Sequence, residues 1–166
     1  MGRSLEELEL RVWWGLLRAH YQATRNLEAA LARERGLSTS SYEVLLRLAR
    51  SPDRAMRLSK LADSVLLQPS SITRMIDQLV ARGLIERRRS PNDARGYLAV
   101  LTPAGLEALR EASPVHARSI HEHLTGRLTE GQLRALAEAL EATLEEEGRI
   151  PPEALASFLL DLQQRV

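Results

Sequence analysis

Four histidines, His20, His116, His121 and His123, are the obvious candidates for metal chemistry, and the chain contains no cysteine. Ligands on one helix face need spacings of three or four residues. His121 and His123 would point about 200° apart on a helix, and the step from 116 to 121 is a poor match. No cysteine or cluster of acids completes a set, so no metal and no cofactor is expected. The missing cysteine also removes disulfides, thiolate catalysis and thiol redox sensing. No Gly-x-Ser-x-Gly, no phosphate-cradling glycine loop and no His-Glu-x-x-His occurs, so an enzyme is not expected either. Glu145, Glu146 and Glu147 form a charge run of the kind found on a solvated face.

What remains is arginine. The formal net charge is only +1, but it is unevenly spread. Residues 56–105 hold eight cations against four carboxylates, whereas residues 130–147 hold six glutamates against Arg134. A basic middle on an acidic scaffold suits a polyanion partner. Arg87, Arg88 and Arg89 stand together and Arg95 follows closely. Extended arginines gain most in a narrow groove of concentrated negative potential. Asp93, two residues before Arg95, is poorly placed to meet a phosphate and makes sense as an internal partner that holds an arginine in position. Upstream, Ser70, Ser71, Thr73 and Arg74 bring hydroxyls and a guanidinium able to bond base edges.

These side chains need elements to carry them. Residues 5–35 show apolar positions at three- and four-residue steps (Leu5, Leu8, Val12, Leu16, His20, Ala23, Leu27, Leu31) and predict one long helix ended by Gly36. A second helix is expected from Ser40, in a capping box with Glu43, to the stop at Ser51-Pro52. Ser59 would cap a short third helix, and Pro69 would open a fourth that buries Ile72, Met75, Ile76, Leu79 and Val80. Residues 84–89 and 97–101 read as strands around the turn-rich stretch 90–96, with Asn92 inside it and Arg95 near the tip. Thr102-Pro103 restarts a helix in which Pro114 predicts a kink or break. Thr129 and Gln132 form another capping box, opening a helix through Leu144. A last amphipathic helix is expected around Leu155, Phe158, Leu159 and Leu162.

Two short helices followed at once by a basic hairpin have the layout of a winged helix-turn-helix. Residues 59–105 resemble the MarR family. The resemblance rests on Leu79-Val80-Ala81-Arg82-Gly83-Leu84-Ile85-Glu86-Arg87 and on Asp93, Arg95, Leu101 and Thr102, followed by Pro103, Ala104 and Gly105, with Ala99 where the family has valine. In element order it extends over residues 5–147. It implies a mainly α protein with a small β-hairpin wing, built as a triangular homodimer. The DNA-binding domain would be residues 37–102, and a helical dimerisation region would comprise 1–36 and 103–166. Double-stranded DNA is the expected partner, met through Gln68, Ser70, Ser71, Thr73, Arg74, Arg87, Arg88, Arg89, Asn92, Asp93 and Arg95. Gln68-Pro69 departs from the family, which often has a Ser or Thr cap there.

The resemblance also implies an effector pocket for a phenolic or aromatic acid. Trp13 and Trp14 could stack such a ligand, and His20 and His116, each on an apolar stripe, could pair its charge. Core packing explains the tryptophans, and hydrogen bonding across a dimer explains the histidines, so both explanations stand. The expected function is sequence-specific transcription regulation, usually repression in the family. Two alternatives are an architectural DNA binder without a ligand and a helical protein-interaction module. Thermal shifts with phenolic acids test the first, and salt-dependent DNA retention tests the second. No apolar run is long enough to span a bilayer and the N-terminus lacks a signal-peptide stretch, so no membrane association and a cytoplasmic location are expected.

Overall fold

The computed structural model describes residues 4–64, 69–90 and 93–143. It is mostly helical with one small sheet. Helices α1 (Glu7–Arg35) and α2 (Thr39–Arg50) precede strand β1 (Ala55–Arg57). Helices α3 (Leu58–Ser64) and α4 (Pro69–Ala81) follow, then strands β2 (Ile85–Ser90) and β3 (Asp93–Leu101) and helices α5 (Pro103–His123) and α6 (Glu130–Glu141). The sheet order is β1-β3-β2, antiparallel throughout. No helix among the described residues is long and apolar enough to cross a membrane.

Several boundaries follow the local chemistry. Gly36 ends α1 in the left-handed conformation (φ 61°), its N–H returning to the helix carbonyls. Thr129 caps α6 in a reciprocal box with Gln132. Other boundaries differ from expectation. The cap of α2 is Ser38, whose hydroxyl accepts from the Ser41 N–H at 3.0 Å, and not Ser40. In a run of four hydroxyl residues the first wins, leaving Glu43 to pair with Arg47 one turn on. Helix α3 begins at Leu58, directly from β1, so Ser59 lies within its first turn. Of the two hairpin strands, β3 is longer than expected: Ser90 pairs with Asp93, and Arg95 lies on β3 close to the turn. Strand β1 was not expected at all. Its three residues are too few to show a period, and their pairing with Leu98–Val100 is a tertiary contact.

The expected break at Pro114 does not occur, and α5 runs unbroken from Pro103 to His123. Proline there removes one helical hydrogen bond, a cost of about 3 kcal/mol. Ala112, Ser113 and Val115 around it are buried while Pro114 faces outward, so packing keeps the helix continuous. The expected helix in 149–166 lies outside the described residues.

One core serves the head and the long helices together. Leu31 of α1, Leu45 and Leu48 of α2, Leu61 of α3, Leu79 of α4, Ile85 of β2 and Leu109 of α5 are all nearly sealed from solvent in it. At its edge β3 passes into α5 through a tight junction. Thr102 caps α5 by accepting from the Gly105 N–H at 3.0 Å. The same hydroxyl directs its proton at the carbonyls of Gly83 (2.7 Å) and Leu84 (3.0 Å). Gly105 is pressed so close that a Cβ there would lie 2.0 Å from the Leu84 carbonyl oxygen and 2.8 Å from a Leu101 methyl.

This contact is with backbone, so a methyl group cannot be accommodated by a rotamer change. Gly105→Ala is expected to destabilise the chain by about 3 kcal/mol or more. Gly131, also in a first helical turn, faces open space, and Gly131→Ala is expected to be neutral or to stabilise by up to about 1 kcal/mol. Urea unfolding of the two variants side by side measures the difference, and equal midpoints would refute the close packing at the junction.

Candidate nucleic-acid interface

Helix α4 has two faces because its apolar residues recur at helical spacing. Met75, Ile76 and Leu79 are buried, and Thr73, Arg74, Asp77 and Gln78 are exposed. Strand β2 runs back beside this helix. The Arg87 guanidinium donates to the Asp77 carboxylate at 2.6 Å, fastening the hairpin to the exposed flank of α4. Both partners are largely solvated, so the pair contributes on the order of 0–1 kcal/mol to stability. It nonetheless links the wing directly to α4. Arg88 pairs with Glu86 two residues earlier, on the same side of the strand. Arg89 is exposed and, like Arg74, has no ion-pair partner among the described residues.

The expected contact residues thus divide into groups. Thr73 and Arg74 are presented to solvent by α4, and Arg87, Arg88 and Arg89 by β2. Ser70 and Ser71 stand on α4, and Asp93 and Arg95 on β3; their side chains, together with Gln68 and Asn92, lie outside the described residues. Asp77 was not singled out from the sequence. Its signal was there: an acid three residues after Arg74, on the polar face of a helix beside a basic strand.

The expected ligand-binding residues are not gathered by any ring contact or hydrogen bond among the described residues. Trp13 and Trp14 are exposed, 52% and 64% respectively, and His20 is exposed on the same helix. His116 lies elsewhere, largely buried, its ring stacked on Tyr42 with centroids 4.4 Å apart and planes 17° from parallel. Behind the stack, Ser113 donates to the Leu109 carbonyl at 2.8 Å, so Tyr42 is left to donate to Ser113 at 3.3 Å. Burial pushes the His116 imidazole down to about 4 and the Tyr42 phenol up. At neutral pH and without a ligand the His116 ring is therefore uncharged. No group of three His, Asp or Glu side chains among the described residues could hold a metal ion.

Residues 37–97 match the pattern described as MarR family. The chain is 36% identical over 74 residues to the multiple antibiotic resistance protein MarR of Salmonella typhimurium, a match covering 45% of this chain and 51% of that protein. It thus spans about half the length of these curated relatives. Among solved structures, it is similar to Sco3205, a MarR family transcriptional regulator from Streptomyces coelicolor in complex with DNA. That likeness has a TM-score of 0.79 at 31% identity and covers 92% of this chain and 94% of that one. AbsC, a MarR family transcriptional regulator from the same organism, gives 0.76 at 32% identity over 85% and 95%.

Neutral His116 makes stability depend on pH. Its pKa is lowered on folding from 6.5 to about 4, so the unfolded chain holds the proton more tightly. The stabilisation is therefore complete above 6.5 and is lost as pH falls from there towards about 4. Urea melts on either side of this window should differ by up to about 3 kcal/mol from this group. His116→Phe keeps the stack and removes the proton, so it should flatten the dependence. An undiminished slope in that variant would assign the effect to other groups.

Proposed function

The chain belongs to the MarR family, and from that premise we propose that it is a sequence-specific DNA-binding transcription regulator that acts in the cytoplasm as a homodimer, most simply a repressor. The observation that carries this is the common exposure of the α4 polar face and the β2 arginines, linked by the contact between Arg87 and Asp77. Helix α4 is the size and character of a recognition helix for the major groove, and arginines on the adjoining hairpin suit the flanking minor groove. Residues 37–102 form the DNA-binding domain in this proposal, and residues 1–36 and 103–166 form the dimerisation region. Two heads on a two-fold axis would read half-sites about one helical turn apart. An anionic or aromatic effector held outside the heads would change their spacing and release DNA.

The dimer is supported by what the single chain leaves uncovered. In α1, Leu27 and Leu31 are buried, but Leu5, Leu8, Val12, Trp13, Trp14 and Leu16 are exposed. Leu136 and Leu140 of α6 are exposed as well. Large apolar side chains exposed in such number on two helices belong to an interface.

Two expectations follow for DNA. Arg89→Ala should weaken binding to specific and unrelated duplexes alike and make the slope of log affinity against log salt shallower by about 0.9. Arg74→Ala should cost about 1–3 kcal/mol on the best site and less on random DNA. Fluorescence anisotropy over a salt series reads both, and wild-type curves from the two variants would remove α4 and β2 from the interface. For assembly, the melting temperature should rise with protein concentration. Leu16→Glu should abolish dimer and operator binding together, and a folded, DNA-competent monomer in sedimentation would end the two-headed mechanism.

A further inference from the structure

From the seam between α1 and the end of α5 we infer a binding site for a small organic polyanion, one that bears at least two negative charges on carboxylate or phosphate oxygens. A cavity of about 430 Å³ opens there, within the roughly 300–1,000 Å³ usual for small-molecule sites. Arg18, Tyr21, Gln22 and Arg25 line it from one face of α1, where steps of three and four residues bring them together. His123 and Arg127 line it from the opposite wall.

The charge of this cavity is unusual for the seam it occupies. The two helices run antiparallel, and nearer the head their arginines are compensated: Arg35 meets Glu111 at 3.7 Å and Arg118 meets Glu34 at 2.6 Å. Further along the same seam three guanidiniums share one concavity, and no carboxylate among the described residues lines it. Arg18 and Arg25 have no ion-pair partner among the described residues. Arg127 donates through Nε to the Glu122 backbone carbonyl at 3.1 Å, which orients its plane and leaves its outer nitrogens to a ligand. The turn that carries Arg127 is tightly seated, for a Cβ on Gly126 would lie 2.7 Å from the His121 carbonyl oxygen.

Three like charges around one concavity repel one another, weakly while solvated, and an anion that joins them relieves that repulsion. A neutral phenol or a monoanion leaves most of that repulsion in place. An anion of charge two or more, offering several oxygens to guanidinium forks, removes it. The Tyr21 hydroxyl and the Gln22 amide add neutral donors. The site lies on α1 and α5, apart from the α4 and β2 surface, so it stands independently of the proposed DNA contacts.

The test uses the full chain, with citrate and pyrophosphate as probes for the polycarboxylate and phosphate sources, at ionic strength held constant with sodium chloride. Calorimetry should show saturable binding of one of them, one per chain, with a matching rise in melting temperature. Arg25→Gln and Arg127→Gln should each weaken it tenfold or more, while the melting temperature without anion stays level or rises because repulsion is relieved. Should either variant fail to fold, Arg25→Lys and Arg127→Lys retain the charge but lose the fork, and they too should bind more weakly. Non-saturable heats with both probes, or variants that bind like the parent, overturn the site. Binding seen only after Glu145→Gln, Glu146→Gln and Glu147→Gln are combined would overturn it too, since a neighbouring copy's acidic segment would then be the occupant.

Discussion

The orientation of the whole head depends on one junction, where β3 becomes α5 without a linker. The Thr102 hydroxyl caps the helix and binds the carbonyls at the end of the α4–β2 turn, and Gly105 lets the two backbones close to contact distance. Because β3 is also the central strand, with β1 on one edge and β2 on the other, fixing its end fixes the sheet. Helix α4 is then held by its buried face and by the reach of Arg87 to Asp77. The polar face that could meet a groove is therefore aimed by buried contacts on its far side and, at its own flank, by the reach of Arg87 to Asp77.

Electrostatics divides the molecule in two. Along the α1–α5 seam near the head, and within α2 and α6, arginines are matched with glutamates at short range. These pairs are exposed or half-exposed and add little stability each. Among the cations without a described carboxylate partner are Arg74 and Arg89 on the α4 and β2 surface, and Arg18, Arg25 and Arg127 at the cavity.

How much of this was legible beforehand follows the range of the interactions. Gly36, Thr102, the Thr129 and Gln132 box and Pro69 speak through their own neighbours, and each stands where local chemistry puts it. Strand β1 was invisible because it exists only by pairing with β3. Ser40 misled because four candidate caps in a row differ only in which backbone geometry comes first. The exposed faces of α4 and β2 were readable from polarity alone, whereas Asp77 as the partner of Arg87 needed the return of the hairpin. The His116 stack on Tyr42 and the cavity both join residues about 75 to 110 positions apart in the chain. No period along one helix can announce such neighbours.

Pro114 shows what packing does with a local defect. A break there would have uncoupled the two ends of α5, because a flexible joint absorbs displacement. Its flanking residues instead bury Ala112, Ser113 and Val115 and stack His116 on Tyr42, so the helix stays continuous. Its 21 residues make a rod about 30 Å long. One end is locked to the head through Thr102 and Gly105, and the other leads to His123 and Arg127 at the cavity. The continuity of α5 through Pro114, kept at the expense of one backbone hydrogen bond, makes a single element the link between the cavity and the head.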